Sequence, residues 1–301
     1  MAIVVPPLNR RRFLGGALTL GVAAVVGRGA ADEPAIDASR IAFLADTHIW
    51  EDRTGSHRNV VPTAAFAEAI GQITALRPLP AWALLAGDCA FMEGKPGDYQ
   101  AVTDEIKPLA AAGVGAAIAL GNHDHRENFW NREAGAKPKT LGVSDRNAII
   151  LETPKANFFI LDSLDKTNVT PGRLDRPQLE WLAKELDARK DKPAILVAHH
   201  DPPIGLPRIN GLLDTQAFYD VIVPRKQVKA YVFGHTHRWN VRQHEGIHLI
   251  NLPPTAWVFD NAQPRGWVDV HLGDGRISLR LNTLDGRHEK HDQKFDLEYR
   301  T

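Results

Sequence analysis

The stretch Ala116-Ala117-Ile118-Ala119-Leu120-Gly121-Asn122-His123-Asp124 changes from apolar to polar within one step of the chain. Its first five residues have the length and composition of a buried strand, and the next four are polar or turn-forming. In open α/β sheets the functional site lies at the carboxyl ends of the strands. An amide, an imidazole and a carboxylate at the end of an apolar strand therefore predict an α/β fold with a site at this edge.

Four further segments repeat this arrangement, two before and two after it. Each follows an apolar run, and they are Asp46-Thr47-His48, Gly87-Asp88, His199-His200 and Gly234-His235-Thr236-His237. Strands of one sheet that end in such groups would gather them into one site. Carboxylate and amide oxygens and imidazole nitrogens are ligands that iron, manganese and zinc accept. Taken together, the five segments predict a two-metal hydrolase.

The spacing within the segments suggests which side chains share an ion. Asp46 and His48 are two residues apart and can face the same way in an extended chain, as can His235 and His237. Asp88 offers two carboxylate oxygens and is placed to bridge two metals. The alternative role for Asp88 is a helix N-cap, which the loop over residues 91–97 makes unfavourable.

The segment around His123 offers more than ligands. Asn122 has a neutral oxygen for a metal, whereas the adjacent His123 is better placed above the site as an acid or an anion-binding group. Asp124 is expected to hold and polarise His123 and to raise its pKa by charge proximity. The alternative reading of the segment is a polar turn, since Gly, Asn and Asp all favour turns.

The rest of the chain alternates between predicted strands and helices. Helices are predicted near residues 60–76 and 98–112, and another begins at Asp175 or Arg176 with Pro177 in its first turn. Alternating apolar residues predict a hairpin over residues 266–283. There is no internal repeat or low-complexity stretch, so residues 36–301 are expected to form one domain.

Composition indicates the class of protein and excludes one kind of cross-link. The 301 residues are 44% hydrophobic and 24% charged, which is typical of a globular protein with a full core. Cys89 is the only cysteine, so an intrachain disulfide is excluded, and a small buried thiol is expected there rather than a ligand.

The first 31 residues have the order of an export signal. Arg10-Arg11-Arg12-Phe13-Leu14 precedes an apolar stretch over residues 14–26, and small residues lead to a cleavage point after Ala31. The pattern resembles a twin-arginine signal. The apolar stretch is shorter than the roughly 20 residues that span a bilayer, so stable membrane insertion after cleavage is not expected. The alternative is an uncleaved amphipathic tail or a membrane anchor.

An exported protein of this kind would engage the twin-arginine export machinery and reside in the periplasm or otherwise outside the cytoplasm. Removing residues 1–31 takes away four arginines and no acid, which leaves 32 basic and 36 acidic residues. A net charge of −4 does not favour phosphate-dominated binding to long nucleic acids, so a nuclease is disfavoured.

As a set and in this order, the five segments resemble those of the calcineurin-like metallophosphoesterase superfamily. The resemblance covers residues 40–240 and implies a four-layer α/β/β/α sandwich with a binuclear centre. By position, one metal would be held by Asp46, His48, Asp88 and His237, and the other by Asp88, Asn122, His199 and His235. His199 is the preferred ligand of its pair, and His200 stays open as the alternative.

Two further positions refine the resemblance. Purple acid phosphatases of this superfamily have a ligand tyrosine where this chain has Phe91, so an iron–tyrosinate enzyme is not expected. The Asp46-x-His48 start instead resembles bacterial cyclic-nucleotide and glycerophosphodiester phosphodiesterases. Asp201 follows the histidine pair and is expected to orient a histidine or to disfavour highly charged monoesters.

The predicted reaction is hydrolysis of a small phosphodiester by attack of metal-bound hydroxide on phosphorus, with protonated His123 donating to the leaving oxygen. The alternatives are a broad phosphomonoesterase and, from another class, a metal-binding scaffold without catalysis. Substrate contacts are expected from loops around the site, and the candidates besides Asn122 are Arg126, Trp130, Arg208 and Trp257.

Overall fold

Two six-stranded sheets lie face to face, with helices on both outer surfaces. The structure is a computed structural model that describes residues 34–131, 142–205 and 209–301. The strands are β1 (Ile36–Leu44), β2 (Leu79–Ala86), β3 (Gly115–Ala119), β4 (Ile149–Glu152), β5 (Asn157–Ile160), β6 (Ala194–Val197), β7 (Val228–Phe233), β8 (Asn240–His244), β9 (Ile247–Asn251), β10 (Gly266–Gly273), β11 (Arg276–Thr283) and β12 (Lys294–Glu298). The helices are α1 (Pro62–Thr74), α2 (Pro96–Glu105), α3 (Lys107–Ala111), α4 (Arg126–Asn131), α5 (Arg176–Asp187) and α6 (Thr215–Ile222).

Each sheet combines parallel and antiparallel pairs. The first sheet has the order β12-β11-β10-β1-β2-β3, in which β1, β2 and β3 are parallel. The second has the order β4-β5-β6-β7-β9-β8, in which β5, β6, β7 and β9 are parallel. All five polar segments follow parallel strands, namely β1, β2, β3, β6 and β7. Both sheets therefore deliver polar groups to one end of the sandwich.

The pleat of β1 shows how the layers are held together. Ile41 and Phe43 pack into the core between the sheets, and Ala42 and Leu44 pack on the other side, in the core that includes α1 residues. Successive side chains of a strand point to opposite faces, and here both faces are apolar. A third core joins the second sheet to α5 and α6. The predicted four-layer α/β/β/α sandwich is confirmed.

Several local predictions are confirmed and one is altered. Strands β10 and β11 form the predicted hairpin, and α5 begins at Arg176 with the carboxylate of Asp175 accepting a hydrogen bond from the Gln178 amide. The single helix predicted over residues 98–112 is instead α2 and α3, separated at Ile106. Pro108 has no amide hydrogen and cannot continue a helix from α2, so a new helix starts there.

Sequence reasoning missed α6, the β8–β9 hairpin and β12. The hairpin turns at Glu245 and Gly246, which both have positive φ angles of 49° and 77°. This geometry suits a two-residue hairpin turn, and the Glu-Gly pair is a weaker signal than Asn-Gly or Asp-Gly. None of the helices in the three described ranges is long and apolar enough to cross a bilayer. The proposed export signal lies outside the described residues.

Arg300 ties the C-terminus of the chain to the second sheet. Its guanidinium donates to five backbone carbonyls, those of Ile222, Val223, Arg225, Val228 and Glu245, at 2.7 to 3.1 Å. Two of these carbonyls lie at the C-terminal end of α6, where helix carbonyls lack partners within the helix. The cation also suits the negative end of the helix dipole.

We expect Arg300→Ala to lower the free energy of unfolding by about 3 kcal/mol, because several hydrogen bonds from a charged donor are lost together. Denaturant unfolding followed by circular dichroism measures this change. Arg287→Ala removes an exposed arginine from the turn before β12 and is the matched control, with little expected effect. Equal stabilities of the two variants would show that the Arg300 contacts contribute nothing.

Candidate metal centre

The structure brings the seven predicted ligands together at the ends of five strands. Their side chains meet at one end of the sandwich, where strands of both sheets end. Six of them are buried, and His235 is half-buried; the buried ones are Asp46, His48, Asp88, Asn122, His199 and His237. Burial of this many polar side chains is unfavourable unless each one has a partner.

One group of ligands comes from the ends of β1 and β7. The Nε2 atoms of His48 and His237 are 3.3 Å apart, and His237 Nε2 lies 3.4 Å from Asp46 Oδ1. One ligand atom from each of these residues lies within 4.8 Å of the other two, close enough to share an ion. The Asp-x-His pair thus meets one histidine of the His-x-His pair, His237, whereas His235 lies in a second group.

A second group comes from β2, β3, β6 and β7. His199 Nε2 lies 3.1 Å from Asp88 Oδ2 and 3.2 Å from His235 Nδ1. The same His235 nitrogen lies 3.0 Å from Asn122 Oδ1. The amide oxygen, the two imidazoles and the carboxylate therefore converge.

Asp88 lies between the two groups. Its Oδ2 is 3.1 Å from His199 Nε2 and 3.9 Å from His48 Nε2, and so it faces a histidine of each group. Asp46, Asp88 and His199 also have ligand atoms within 4.8 Å of one another. This position between the groups suits a bridging carboxylate.

The hydrogen bonds of two imidazoles leave one nitrogen of each ring available to bind a metal. The Nδ1 atom of His237 faces the Trp257 carbonyl at 2.6 Å, and that of His199 faces the Ala86 carbonyl at 2.9 Å. A carbonyl accepts only, so in the neutral rings Nδ1 carries the proton and Nε2 presents a lone pair to the site. Metal-binding histidines are commonly oriented in this way. Lone pairs that face one another beside two carboxylates need a cation among them.

The choice between His199 and His200 follows from their partners. Both ring nitrogens of His200 are engaged, Nδ1 with the Ser163 hydroxyl at 2.8 Å and Nε2 with the Thr170 carbonyl at 3.0 Å. His199 keeps Nε2 directed at Asp88 and His235. His200 also lies near enough to join a group with His199 and His235. We favour His199 as the ligand because its ring nitrogen is directed into the site.

The backbone at the site is held in an uncommon conformation. Five predicted ligands have φ in the left-handed region, namely Asp46 at 51°, His48 at 45°, Asp88 at 50°, His235 at 70° and His237 at 53°. For residues other than glycine this costs roughly 1 kcal/mol or more each. Such strain persists only where the surrounding structure imposes it, and its concentration at these positions marks a functional site.

Two glycines explain why these segments have the form Gly-Asn and Gly-His. A Cβ atom on Gly121 would overlap Asp88 Oδ1, and one on Gly234 would overlap Asp46 Oδ2. Carboxylates that follow other strands, Asp88 after β2 and Asp46 after β1, therefore occupy the space that a side chain would take. Their close approach to the backbone is possible only with glycine.

His123 and Asp124 point in different directions. His123 lines the cavity, its amide donates to Asp88 Oδ1 at 2.8 Å, and its Nδ1 faces the Met92 carbonyl at 2.9 Å. The prediction that Asp124 holds His123 is wrong. The Asp124 carboxylate is fully buried and accepts hydrogen bonds from the Gly121 and Ala90 amides, the Cys89 amide and thiol, and the Tyr99 hydroxyl.

This network gives Asp124 a different role. Its carboxylate joins the loop after β2, which carries Asp88, to the loop after β3, which carries Asn122 and His123. The reason is local, since residues 121–124 form a turn in which the Asp124 amide donates to the Gly121 carbonyl at 3.1 Å and the Asp124 carboxylate accepts from the Gly121 amide at 2.8 Å. His123 faces the cavity, and Asp124 consequently faces the core. Cys89 is a buried thiol, as predicted.

Burial and close contact between imidazoles and carboxylates shift the pKa values of several groups at the site. Burial lowers the pKa of His48 to about 3, which keeps its ring neutral. Burial also opposes protonation of His199, but the neighbouring Asp88 outweighs it and raises the pKa of His199 to about 9. Burial would raise the pKa of Asp88, yet the imidazoles around it, led by His199, hold that pKa well below its usual value. A proton on His199 thus supplies positive charge beside Asp88, and a metal cation bound there could supply the same charge.

Most of the predicted substrate contacts lie elsewhere. Arg126 forms a two-pronged ion pair with Asp162 at 2.7 and 3.1 Å, and Trp130 is buried. Trp257 is also buried and stacks on His48 at 4.2 Å, so its face is not available to a ligand. Arg208 lies outside the described residues. Only Asn122 among the described candidates lines the cavity above the ligands.

That cavity has a volume of about 880 Å³ and extends well beyond the metal ligands. Besides Asp88, Asn122, His123 and the histidines of β7, its walls include Asp201, Asn210, Arg242, Asn251 and Phe259. Sequence reasoning missed the last four. They follow no motif, and only the packing of the loops brings them to the site. Asp201 was expected near the site and lies on its wall.

The fold and the ligand set define a metal-dependent phosphoric ester hydrolase. The family model described as calcineurin-like phosphoesterase matches residues 39–239, and the chain belongs to this family. Within it, the chain is similar to the 3′,5′-cyclic adenosine monophosphate phosphodiesterase CpdA of Pseudomonas aeruginosa, with 26% identity over 282 residues, covering 89% of this chain and 96% of the relative.

The chain is also similar to a probable glycerophosphodiester phosphodiesterase, GpdQ, of Arcobacter nitrofigilis, with 27% identity over 209 residues, covering 66% of this chain and 74% of the relative. A solved structure, that of a dimetal phosphatase from Danio rerio, superimposes with a TM-score of 0.65 at 14% identity, covering 89% of this chain and all of that one. At this identity the likeness shows the fold alone.

We expect Gly234→Ala to lose most of its bound metal, because the added methyl group must displace the Asp46 carboxylate. Metal content per protein after dialysis, measured by plasma mass spectrometry, is the test. Gly71→Ala in α1 is the matched control, since its methyl group meets no atom within 4 Å. Full metal occupancy in Gly234→Ala would show that Asp46 is not a required ligand.

Proposed function

We propose that this protein hydrolyses small phosphodiesters at a binuclear metal centre. The observation that carries the proposal is the position of the Asp88 carboxylate, 3.1 Å from a histidine of one ligand group and 3.9 Å from a histidine of the other. Asp46, His48, Asp88 and His237 would hold one ion, and Asp88, Asn122, His199 and His235 the other. When bound, such a pair activates water and neutralises charge on the phosphoryl oxygens.

His123 acts as the general acid in this proposal. Its Nδ1 donates to the Met92 carbonyl, which fixes the ring and leaves Nε2 as the atom that can meet a substrate. The protonated ring would give its Nε2 proton to the leaving oxygen as the ester bond breaks. General acid catalysis of this kind typically contributes about 10²- to 10⁴-fold in rate.

The cavity supports a diester rather than a monoester. A diester carries groups on both sides of phosphorus, and the 880 Å³ space is lined by Phe259 and Arg242 as well as by predicted ligands. The relatives named as cyclic-nucleotide and glycerophosphodiester phosphodiesterases support the same substrate class. The twin-arginine pattern at residues 10–14 supports export of the enzyme to the periplasm.

A kinetic panel on metal-loaded protein tests the proposed reaction. We expect bis(4-nitrophenyl) phosphate to be hydrolysed with a kcat/KM at least ten-fold above that of 4-nitrophenyl phosphate, and chelation of the metal to abolish both activities. The chromophore released is the same, so the two rates compare directly. A preference for the monoester would favour the phosphomonoesterase alternative, and the absence of both activities would favour the scaffold.

The acid role of His123 has its own test. We expect His123→Ala to keep its metal and to lose about 10²-fold or more in kcat on diesters with alkyl leaving groups, and much less on aryl diesters. Aryl leaving groups depart without protonation, so they do not need the acid. His125→Ala, two residues along the same loop, serves as the control. Equal losses on both substrate classes would rule out proton donation by His123.

A further inference from the structure

Phe259 is an exposed aromatic side chain at the mouth of the metal cavity. It is 61% exposed, and it lines the same cavity as Asp88, Asn122 and His123. Within the described part of the chain, it is the only aromatic among the large hydrophobic side chains left exposed. What distinguishes Phe259 is its place on the wall of the metal cavity, where an exposed ring is available to a ligand.

The ring lies directly beside a predicted ligand. Its centroid is 4.5 Å from that of His237, and the two planes are tilted by 33°. Because His237 Nε2 faces Asp46 and His48, the imidazole ring of His237 separates Phe259 from the predicted metal site. In a nucleotide the base is separated from the phosphate by a sugar, and that separation suits this position.

A cation completes the arrangement. The guanidinium carbon of Arg58 lies 5.0 Å from the centroid of the Phe259 ring, within the range of a cation–π contact. Arg58 is exposed, so its long side chain can move aside and stack on the far face of an inserted ring. A planar group between an aromatic ring and a guanidinium is favoured on both faces.

The other aromatic side chains near the centre are committed to packing. Trp257 stacks on His48 at 4.2 Å and is buried, and Phe91 stacks on Trp50 at 4.4 Å. These rings form the wall behind the ligands. Phe259 differs from them because most of its surface remains open to the cavity and to solvent.

We propose that Phe259 is the stacking platform for the base of a nucleotide substrate, with Arg58 as its partner on the opposite face. The inference rests on the proposed phosphodiesterase function and narrows it to diesters that carry a planar base. A glycerophosphodiester offers no ring to stack, and the platform would contribute nothing to its binding.

The test compares two substrates that differ only in the base, 3′,5′-cyclic AMP and the 3′,5′-cyclic phosphate of 1-O-methylribose. We expect Phe259→Ala to lower kcat/KM on cyclic AMP by about ten-fold or more, as removal of a base-stacking ring does elsewhere. The abasic substrate should be unaffected, and Phe259→Trp should retain the activity on cyclic AMP. Metal content should be the same in all variants.

Ile209→Ala is the matched control, since Ile209 is 80% exposed in the same cavity but has no ring. Equal loss on both substrates, or no loss on either, would overturn the platform. If the wild type hydrolyses glycerophosphodiesters and neither cyclic phosphate, base stacking on Phe259 is ruled out and the proposed phosphodiesterase activity is retained. If metal-loaded protein hydrolyses no diester of any kind, the proposed function itself falls.

Discussion

The structure depends on the convergence of two buried carboxylates with imidazole nitrogens at one end of a sandwich. Asp46 and Asp88 lie among imidazole nitrogens, and the other ring nitrogens of His199 and His237 face backbone carbonyls. Without a positive charge, such a set of lone pairs and anions is repulsive in a buried site. The raised pKa of His199 has the same cause, because a proton on its ring partly offsets the negative charge of Asp88. The ligand geometry, the strained backbone and the cavity above it are all consistent with a cation at this point.

The two sheets make that convergence possible. Strands β1, β2 and β3 of one sheet and β6 and β7 of the other end at the same edge, and each is followed by at least one predicted ligand. Apolar residues on both faces of the parallel strands supply the packing that offsets the cost of strained and buried polar groups. Gly121 and Gly234 let carboxylates approach the neighbouring backbone. The packing within the layers thus offsets the free-energy cost of the strained backbone at the edge.

Around the ligands, neighbouring residues divide into supporting and substrate-facing roles. Asp124 turns inward and joins two ligand loops through their amides, whereas His123 turns outward to the cavity. Trp257 supports His48 and holds His237 through its carbonyl, whereas Phe259, two residues further on, stays open to solvent. Each loop thus carries a residue that supports the predicted ligands and a residue that lines the cavity.

The fold class, the hairpin of β10 and β11, the start of α5 and the residues that meet at the centre could all be predicted from the sequence. These features are local, since an apolar run, a capping residue or a Gly-His pair can be recognised within a few residues of the sequence. Side-chain directions and contacts between distant parts of the chain could not be predicted in this way. Arg126 pairs with Asp162, Trp257 is covered, Arg300 reaches α6 and Phe259 opens to the cavity, because each outcome depends on residues far away in the chain.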